Sequence, residues 1–297
     1  MNRSIESVLI PTDGSEGALA GARRGIDLAS TVDADVHVLS VVDVTHAAEA
    51  LEFDGDGQSP LEREAERAVD AVATLARDAG VDATTAVERG VPFEIIGAYA
   101  DEHDVDVVAM GTKGRTGLER VLLGSVTENV LRTTSSPVLA VPPAAGDTPA
   151  DGYDYDDVLL PTDGSETAAV AVEWGVTLAD AFDAMVHALY SADTSRLVSG
   201  EGADEIFEAL ELQGKGALAT VRERALEADV SVTGTVASGP PSRVILTYVE
   251  DEDVDLVVMG THGRSGVKQR LLGSVTENVV RNASVPVLCV PMADGEP

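Results

Sequence analysis

Two short motifs in this chain combine glycine, hydroxyl and acidic residues, and each motif occurs twice. The first motif reads PTDGS at residues 11–15 and again at 161–165. The second is a glycine loop of the form G-x2-G-x9-G-S, which begins at Gly111 and again at Gly260. Glycine lets a backbone approach a ligand closely, and a helix that begins after such a loop offers N–H groups to an anion. The pattern therefore indicates a site for a phosphate-bearing ligand.

The glycine loop of the first copy is predicted to act through its backbone. We expect Gly111 and Gly114 to adopt positive φ and to let the chain approach the ligand. Residues 124–127 are expected to present free N–H groups at a helix start, where the dipole favours an anion. The hydroxyls of Ser125 and Thr127 are expected to add donors. The loop fits neither the P-loop nor GxGxxG, and an ordinary flexible loop before an N-capped helix is the alternative.

Asp13 directly follows a short apolar run that predicts a buried strand. In an open α/β sheet, ligands bind in the crevice outside the carboxyl ends of the strands. The Asp13 carboxylate is thus placed to accept hydrogen bonds from ribose hydroxyls or an adenine amino group. The alternative is that Asp13 or Ser15 caps the helix that begins near Glu16. The second copy of the motif does not decide between these interpretations.

The chain is predicted to be a duplicated domain. Residues 111–142 and 260–291 share 21 identities in 32 positions, a period too long for a solenoid repeat. We expect domains at 1–142 and 157–292, joined by a short exposed linker at 143–156 that is rich in Pro, Gly, Ala and Asp.

Short apolar runs alternate with helical patterns within each copy. In the first copy, the strands are predicted at 7–10, 35–42, 81–88, 105–110 and 137–141, and the helices at 16–31, 60–79, 92–103 and 125–133. The second copy repeats this order. Strands separated by helices of this length predict two tandem α/β domains, each an open five-stranded parallel sheet with helices on both faces.

The composition is strongly acidic, with 52 Asp and Glu against 20 Lys and Arg and a net charge of -32. The acids are dispersed, as in proteins of a salt-adapted cytoplasm, where molar salt shortens the Debye length to about 3 Å. This charge argues against a nucleic-acid partner. The single cysteine, Cys289, excludes an internal disulfide. We expect a soluble cytoplasmic protein without a membrane segment, since no apolar run reaches about 18 residues.

The two motifs, together with the duplication, resemble the ATP-binding branch of the universal stress protein family over nearly all of both copies. The resemblance implies that the glycine loop holds phosphates and ribose, that Asp13 and Asp163 contact the nucleoside, and that the backbones of Val41 and Ser191 contact adenine. It also implies strand order 3-2-1-4-5 and pairing through strand five, within or between chains, at Val138–Val141 and Val287–Val290. An exposed apolar edge is otherwise an aggregation risk.

The expected ligand is ATP, with ADP or AMP as alternatives, and Mg²⁺ bound through the phosphates rather than by side chains. The predicted contacts of the first copy are Pro11, Thr12, Asp13, Val41, Met110, Gly111, Gly114, Arg115, Gly124, Ser125, Val126 and Thr127. Those of the second copy are Pro161, Thr162, Asp163, Ser191, Met259, Gly260, Gly263, Arg264, Gly273, Ser274, Val275 and Thr276. Lys113 and His262 hold matching loop positions, where either phosphate contact or solvation is open. His37 and His187 are interpreted as structural.

The sequence favours a module that holds nucleotide as a sensor or regulator over two alternatives. A slow ATPase or adenylate-transferring enzyme would need a positioned nucleophile and base, and no catalytic residue is predicted. A scaffold without a ligand would be favoured by one degenerate copy, but both copies keep their glycines. The copies do differ at Val41 against Ser191, at Lys113 against His262 and in the second helix, which predicts two sites of unequal affinity.

Overall fold

A computed structural model describes residues 4–44, 59–114, 123–146, 153, 155–193, 203–263 and 272–292. The chain forms two compact units, Ser4–Tyr153 and Asp154–Pro297, called the first unit and the second unit below. The boundary between them falls inside the predicted linker.

The first unit alternates strands and helices along its described residues. In chain order they are β1 (Ser7–Pro11), α1 (Glu16–Val32), β2 (Asp35–Asp43), α2 (Pro60–Asp78), β3 (Ala83–Gly90), α3 (Pro92–Glu102), β4 (Val107–Gly111), α4 (Ser125–Thr133) and β5 (Val138–Val141), followed by a 3₁₀ helix at Pro143–Ala145.

The second unit repeats this order. Its elements are β6 (Asp157–Pro161), α5 (Glu166–Phe182), β7 (Met185–Ala192), α6 (Ala203–Glu227), β8 (Val232–Ser238), α7 (Pro241–Asp251), β9 (Leu256–Gly260), α8 (Ser274–Asn282) and β10 (Val287–Val290). The largest difference in element length is that of α6, which has 25 residues where α2 has 19.

Each unit contains a parallel sheet with the predicted strand order. In the first unit β1 pairs with β2 and β4, β2 pairs with β3, and β4 pairs with β5, all in parallel. The order is therefore β3-β2-β1-β4-β5, and the second unit has the equivalent order β8-β7-β6-β9-β10. Every residue of β4 is buried, as expected for a parallel strand covered on both faces. The predicted α/β fold is confirmed.

The predicted exposed linker is exposed at its first two residues, 143 and 144, but buried at Ala145 and Gly146. Ala145 is buried, and its carbonyl oxygen accepts a 2.6 Å hydrogen bond from Nε of Arg24, which is 1% exposed. The ring of Tyr153 covers the same guanidinium at 3.3 Å. A buried charge needs such partners, so this part of the linker packs against α1. Tyr155, near the other end, is also buried and stacks on Phe182.

Candidate functional site

A cavity of about 420 Å³ opens in the first unit at the carboxyl ends of β1, β2 and β4. Its walls come from the loops after β1 and β4, the end of β2, and the first turns of α2, α3 and α4. The cavity therefore lies at the edge of the sheet where the sequence placed the ligand. It brings together all the described residues predicted for the first site: Pro11, Thr12, Asp13, Val41, Met110, Gly111, Gly114, Gly124, Ser125, Val126 and Thr127.

The first turn of α4 forms one end of the cavity. Its N-cap is Gly124, which has no side chain to satisfy the N–H groups of the turn. By contrast, Ser15 caps α1, and Ser59 and Glu62 form a capping box on α2. The N–H groups at the start of a helix have no partner within the helix. The N–H groups of Ser125–Thr127 are thus left for a ligand, and their dipole favours an anion.

Two of the donors predicted at this end are used inside the protein. The N–H group of Gly124 donates to the carbonyl oxygen of Thr112 at 2.8 Å. The hydroxyl of Thr127 is buried and donates to the carbonyl oxygen of Gly111, also at 2.8 Å. The predictions of a free N–H at Gly124 and of a donor hydroxyl at Thr127 are wrong, because both groups close the loop onto β4. Ser125 is exposed at the same turn.

The glycines also act differently from the prediction. Neither Gly111 nor Gly114 has a positive φ; that conformation occurs in the loop after β1, at Gly14 with φ 78°. A Cβ on Gly111 would lie 1.9 Å from the carbonyl oxygen of Gly17 in α1, and one on Gly114 would lie 3.1 Å from Oδ2 of Asp13. Gly111 is therefore required by helix packing rather than by a ligand.

Asp13 and Ser15 divide the two roles that the sequence left open. The hydroxyl of Ser15 accepts a hydrogen bond from the N–H of Ala18 and caps α1. Oδ1 of Asp13 accepts from the N–H of Ser15 at 3.0 Å, and the residue lines the cavity. Ser15 is thus the cap of α1. Asp13 stabilises the turn before the helix and faces the cavity beside Gly114.

The end of the cavity at β2 differs in character. Leu39 and Val41 of β2, with Pro92 and Ile96 of α3, give it an apolar wall. The sequence did not identify several other residues that line the cavity: Ala18, Ser40, Val42, Asp43, Leu61, Glu64 and Ala65. The expected strand order could have identified the β2 residues, because it places the end of β2 beside the end of β1. The α2 and α3 residues reach the cavity only through tertiary packing.

The charges on the wall are mostly acidic. Lys113 is the basic side chain among the described lining residues, and it belongs to the loop that precedes α4. The carboxylates are those of Asp13, Asp43 and Glu64. A ligand that suits these walls carries its negative charge at the α4 end, because acidic groups at the β2 end would repel an anion there. Arg115, predicted beside Lys113, lies outside the described residues.

The second unit repeats the loop geometry. Oδ1 of Asp163 accepts from the N–H of Ser165 at 2.9 Å, the N–H of Gly273 donates to the carbonyl of Thr261, and the hydroxyl of Thr276 donates to that of Gly260. Gly273 is again an N-cap without a side-chain bond. Arg264 lies outside the described residues. The other predicted residues of the second unit hold positions equivalent to those of the first unit: Pro161, Thr162, Ser191, Met259, Gly263, Ser274 and Val275.

The two units differ at the side chains that the sequence had distinguished. The hydroxyl of Ser191 donates to the carbonyl of Gly239 at 2.8 Å, a bond that Val41 cannot make. Nδ1 of His262 lies 2.9 Å from the Thr261 hydroxyl, whereas Lys113 lines the cavity of the first unit.

His37 and His187 make contacts within their own units, and His37 is not among the residues that line the cavity of the first unit. Nδ1 of His37 is 3.1 Å from the hydroxyl of Tyr99, and His187 makes the equivalent contact with Tyr248 and a 2.7 Å contact with Asp157. The described residues contain no group of three His, Cys, Asp or Glu side chains that could hold a metal ion. Cys289 is fully buried, and burial raises the pKa of its thiol. In the described part of the chain, no helix is long and apolar enough to cross a membrane.

Comparisons with known proteins agree with the two-unit structure. The model of the universal stress protein family matches residues 4–142 and 154–291. A universal stress protein from Methanocaldococcus jannaschii is 39% identical over 139 residues, covering 46% of this chain and 82% of that protein. One from Synechocystis sp. is 24% identical and covers 96% of this chain and 99% of its own length. The crystal structure of one from Archaeoglobus fulgidus matches in fold, with a TM-score of 0.70, 23% identity and 97% of this chain covered, as well as 99% of that chain.

Proposed function

Because this chain belongs to the universal stress protein family, we propose that it binds an adenine nucleotide, with one site in each unit. ATP is the expected ligand, with ADP and AMP as alternatives. The observation that carries the proposal is the cavity of the first unit, in which uncapped helical N–H groups and an apolar wall face the same space. Its volume of about 420 Å³ lies within the range of small-molecule pockets.

The α4 end suits the phosphates. The N–H groups of Ser125–Thr127 and the exposed Ser125 hydroxyl supply donors without a fixed positive charge, and Lys113 adds one cation from the adjoining loop. Helix starts bind phosphate in this manner because the dipole and the N–H groups point the same way. Mg²⁺, if present, would be bound by phosphate oxygens.

The β2 end suits the nucleoside. A purine ring is apolar on its faces and polar at its edge, so it matches a wall of Leu39, Val41 and Ile96 that is bordered by backbone groups. Asp13 lies between the two ends and accepts hydrogen bonds, which suits ribose hydroxyls. A second anion at this end would meet Asp43 and Glu64. The arrangement therefore favours a ligand with one anionic end and one heterocyclic end.

The proposed role is to hold the nucleotide rather than to turn it over. Phosphoryl transfer needs a positioned nucleophile and base close to the phosphate. Of the carboxylates on the described wall, Asp43 and Glu64 belong to the β2 end, and Oδ1 of Asp13 is bonded to the backbone of Ser15. A sensor or regulator that reports nucleotide occupancy fits this site better than an efficient ATPase.

Strand five of each unit, Val138–Val141 and Val287–Val290, is a proposed pairing surface, within one chain or between chains. The dispersed acidic charge is proposed to adapt the chain to a concentrated salt solution. We also propose that it works in the cytoplasm, without a nucleic-acid partner.

Calorimetric titration with ATP, in high salt with Mg²⁺, tests the proposed function on the full chain. We expect wild type to bind and Asp13→Ala to weaken the first-unit site about tenfold or more, since a hydrogen bond to a charged group contributes about 1.5–3 kcal/mol. Asp163→Ala is the matched variant and should leave the first-unit site unchanged. ATP hydrolysis is assayed on the same preparations. A wild-type protein that binds no adenine nucleotide under these conditions contradicts the proposal.

A further inference from the structure

Ser40 in β2 and Tyr190 in β7 occupy the same place in the two units. Each residue follows the leucine that lies opposite the last residue of the central strand, Leu39 opposite Pro11 and Leu189 opposite Pro161. On the other side, Ser40 lies opposite Val87 of β3 and Tyr190 lies opposite Val236 of β8. Both side chains are 3% exposed. A small polar residue in one unit is thus replaced by a large aromatic residue in the other.

In the first unit, the space beside Ser40 belongs to the cavity. Ser40 lines it together with Glu64 and Ala65, which come from the first turns of α2. Ser40 and Ala65 both line the cavity, and both side chains are small, so they leave space between β2 and α2 at this end. The cavity can therefore extend from the start of α4 to the start of α2.

In the second unit, the ring of Tyr190 lies against α6. A Cβ on Gly214 would be 2.6 Å from Cδ1 of Tyr190 and 3.1 Å from Cε1 and Cγ, so only a glycine lets the ring pack there. The Tyr190 hydroxyl also donates to Oε1 of Gln213 at 3.3 Å. Glycine inside a helix is less favourable than alanine, and its contact with the Tyr190 ring explains why Gly214 occupies this position.

Gly214 is the counterpart of Ala65. The helices α2 and α6 end in the same way, with the N–H of Val81 bonded to the carbonyl of Ala76 and that of Val230 bonded to Ala225, both at 2.9 Å. Counting back eleven residues from Ala76 and from Ala225 reaches Ala65 and Gly214. The first unit therefore has Ser40 and Ala65 at the two positions where the second unit has Tyr190 and Gly214.

We infer that Tyr190, seated on Gly214, fills the space in the second unit that corresponds to the Ser40 and Ala65 part of the first cavity, beside the proposed nucleoside end, so that the first unit is the tighter nucleotide site. This inference rests on the proposed function. The second unit keeps its anion end, with Gly273 as the uncapped start of α8 and Asp163 in the loop after β6. The loss thus concerns the nucleoside end alone. We expect ATP to bind the second unit at least tenfold more weakly than the first.

The test exchanges the two residue pairs in the full chain and follows ATP binding by calorimetry in high salt with Mg²⁺. The variant Tyr190→Ser/Gly214→Ala gives the second unit the pair of the first, and should raise the second-site affinity at least tenfold. The reverse variant, Ser40→Tyr/Ala65→Gly, should lower the first-site affinity by a similar factor. Tyr190→Phe keeps the ring but removes the bond to Gln213, and should leave the second site weak.

The outcomes separate this inference from the proposed function. Thermal unfolding identifies any variant that has lost its fold, and the forward and reverse exchanges report on different units. Two sites of equal affinity in wild type, or an unchanged second site in a folded Tyr190→Ser/Gly214→Ala protein, would overturn the inference and leave the proposed function standing. Absence of any nucleotide binding in wild type would overturn both.

Discussion

The hydroxyl of Thr127 donates a 2.8 Å hydrogen bond to the carbonyl oxygen of Gly111, across the loop that joins β4 to α4. The second unit repeats the bond between Thr276 and Gly260 at the same distance. In each unit this bond ties the start of the helix to the end of the preceding strand, β4 or β9. The N–H groups proposed to meet the phosphates are therefore held in place by a buried polar contact beneath them.

Replacing Thr127 with valine should destabilise the first unit. The Gly111 carbonyl would lose a buried donor, which costs about 1–3 kcal/mol. Thr127→Ser keeps the hydroxyl and should lose much less stability. Urea unfolding at fixed high salt measures the difference, and Thr276→Val is the matched change in the second unit. Equal stabilities of the valine and serine variants would show that the hydrogen bond contributes little.

The glycine N-cap of α4 should leave the N–H groups of the first turn open to an anion, because it has no side chain to bond them. In Gly124→Asp, a side-chain carboxylate can accept the N–H groups of the first turn, and the backbone at φ -60° and ψ 139° suits any residue. Aspartate is a better N-cap than glycine by a few tenths of a kcal/mol, but its Cβ would lie 3.3 Å from the carbonyl oxygen of Thr112, so the stability should change little. ATP affinity at the first site should fall at least tenfold, since the carboxylate both occupies the donors and repels phosphate.

Gly124→Asn is the control for charge. Asparagine caps equally well but is neutral, so it should weaken ATP binding less than aspartate does. If Gly124→Asp keeps wild-type ATP affinity, the phosphates do not bind at the start of α4.

Local signals in the sequence were enough for the elements nearest the motifs. The helix predicted at 125–133 matches α4 because Gly124 marks its start and an amphipathic run extends to its last residue. The third strand was placed two residues too early, since Val81 does not begin β3 but closes α2 through a hydrogen bond to Ala76. Such a closing residue is apolar and buried like a strand residue, so the pattern alone does not distinguish them.

The site was predictable only where it is made of motif residues. Gly111 ends β4, while Asp13 and Ser125 lie beyond the ends of β1 and β4, so their proximity followed from the parallel sheet. Glu64 and Ile96 come from helices whose first turns reach the cavity through packing that no local pattern encodes. For the same reason, the sequence alone does not explain why Tyr190 stands where the first unit has Ser40. The explanation is that the Tyr190 ring packs on Gly214, which is visible only in the structure.

Stability should rise with salt concentration. With a net charge of -32, the folded chain repels itself, and the Debye length falls from about 10 Å at 0.1 M to about 3 Å at 1 M. We expect the melting temperature to increase steadily as KCl is raised from low to molar concentration. A melting temperature that is independent of KCl would contradict the proposed salt adaptation.

A double variant at the end of α7 provides a matched control for the salt effect. Asp251 and Glu252 are exposed at the last residue and the C-cap of that helix, where the dipole disfavours negative charge. Asp251→Asn/Glu252→Gln should be more stable than wild type at low salt by a few tenths of a kcal/mol. Its gain on adding KCl should be correspondingly smaller.

His37 should make the first unit less stable as the pH falls from about 7.5 to 5.5. Burial and the neighbouring His103 lower the pKa of His37, while Asp35 partly opposes them. The unfolded chain therefore takes up a proton near its ordinary pKa of about 6.5, before the folded chain does. Stability rises with pH wherever the unfolded state binds more protons. The contribution of His37 is thus present above about pH 6.5 and is lost as the pH falls towards the lowered pKa.

Two variants separate the causes of this pH dependence. His37→Gln removes the titrating group and should flatten the change in unfolding free energy between pH 7.5 and 5.5. In His103→Gln the ring 5.4 Å away is lost, so the pKa of His37 should rise towards its ordinary value and the slope should shrink in part. Urea unfolding at several pH values, at constant high salt, measures all three proteins. Equal slopes in wild type and His37→Gln would show that another group governs the acid sensitivity of the first unit.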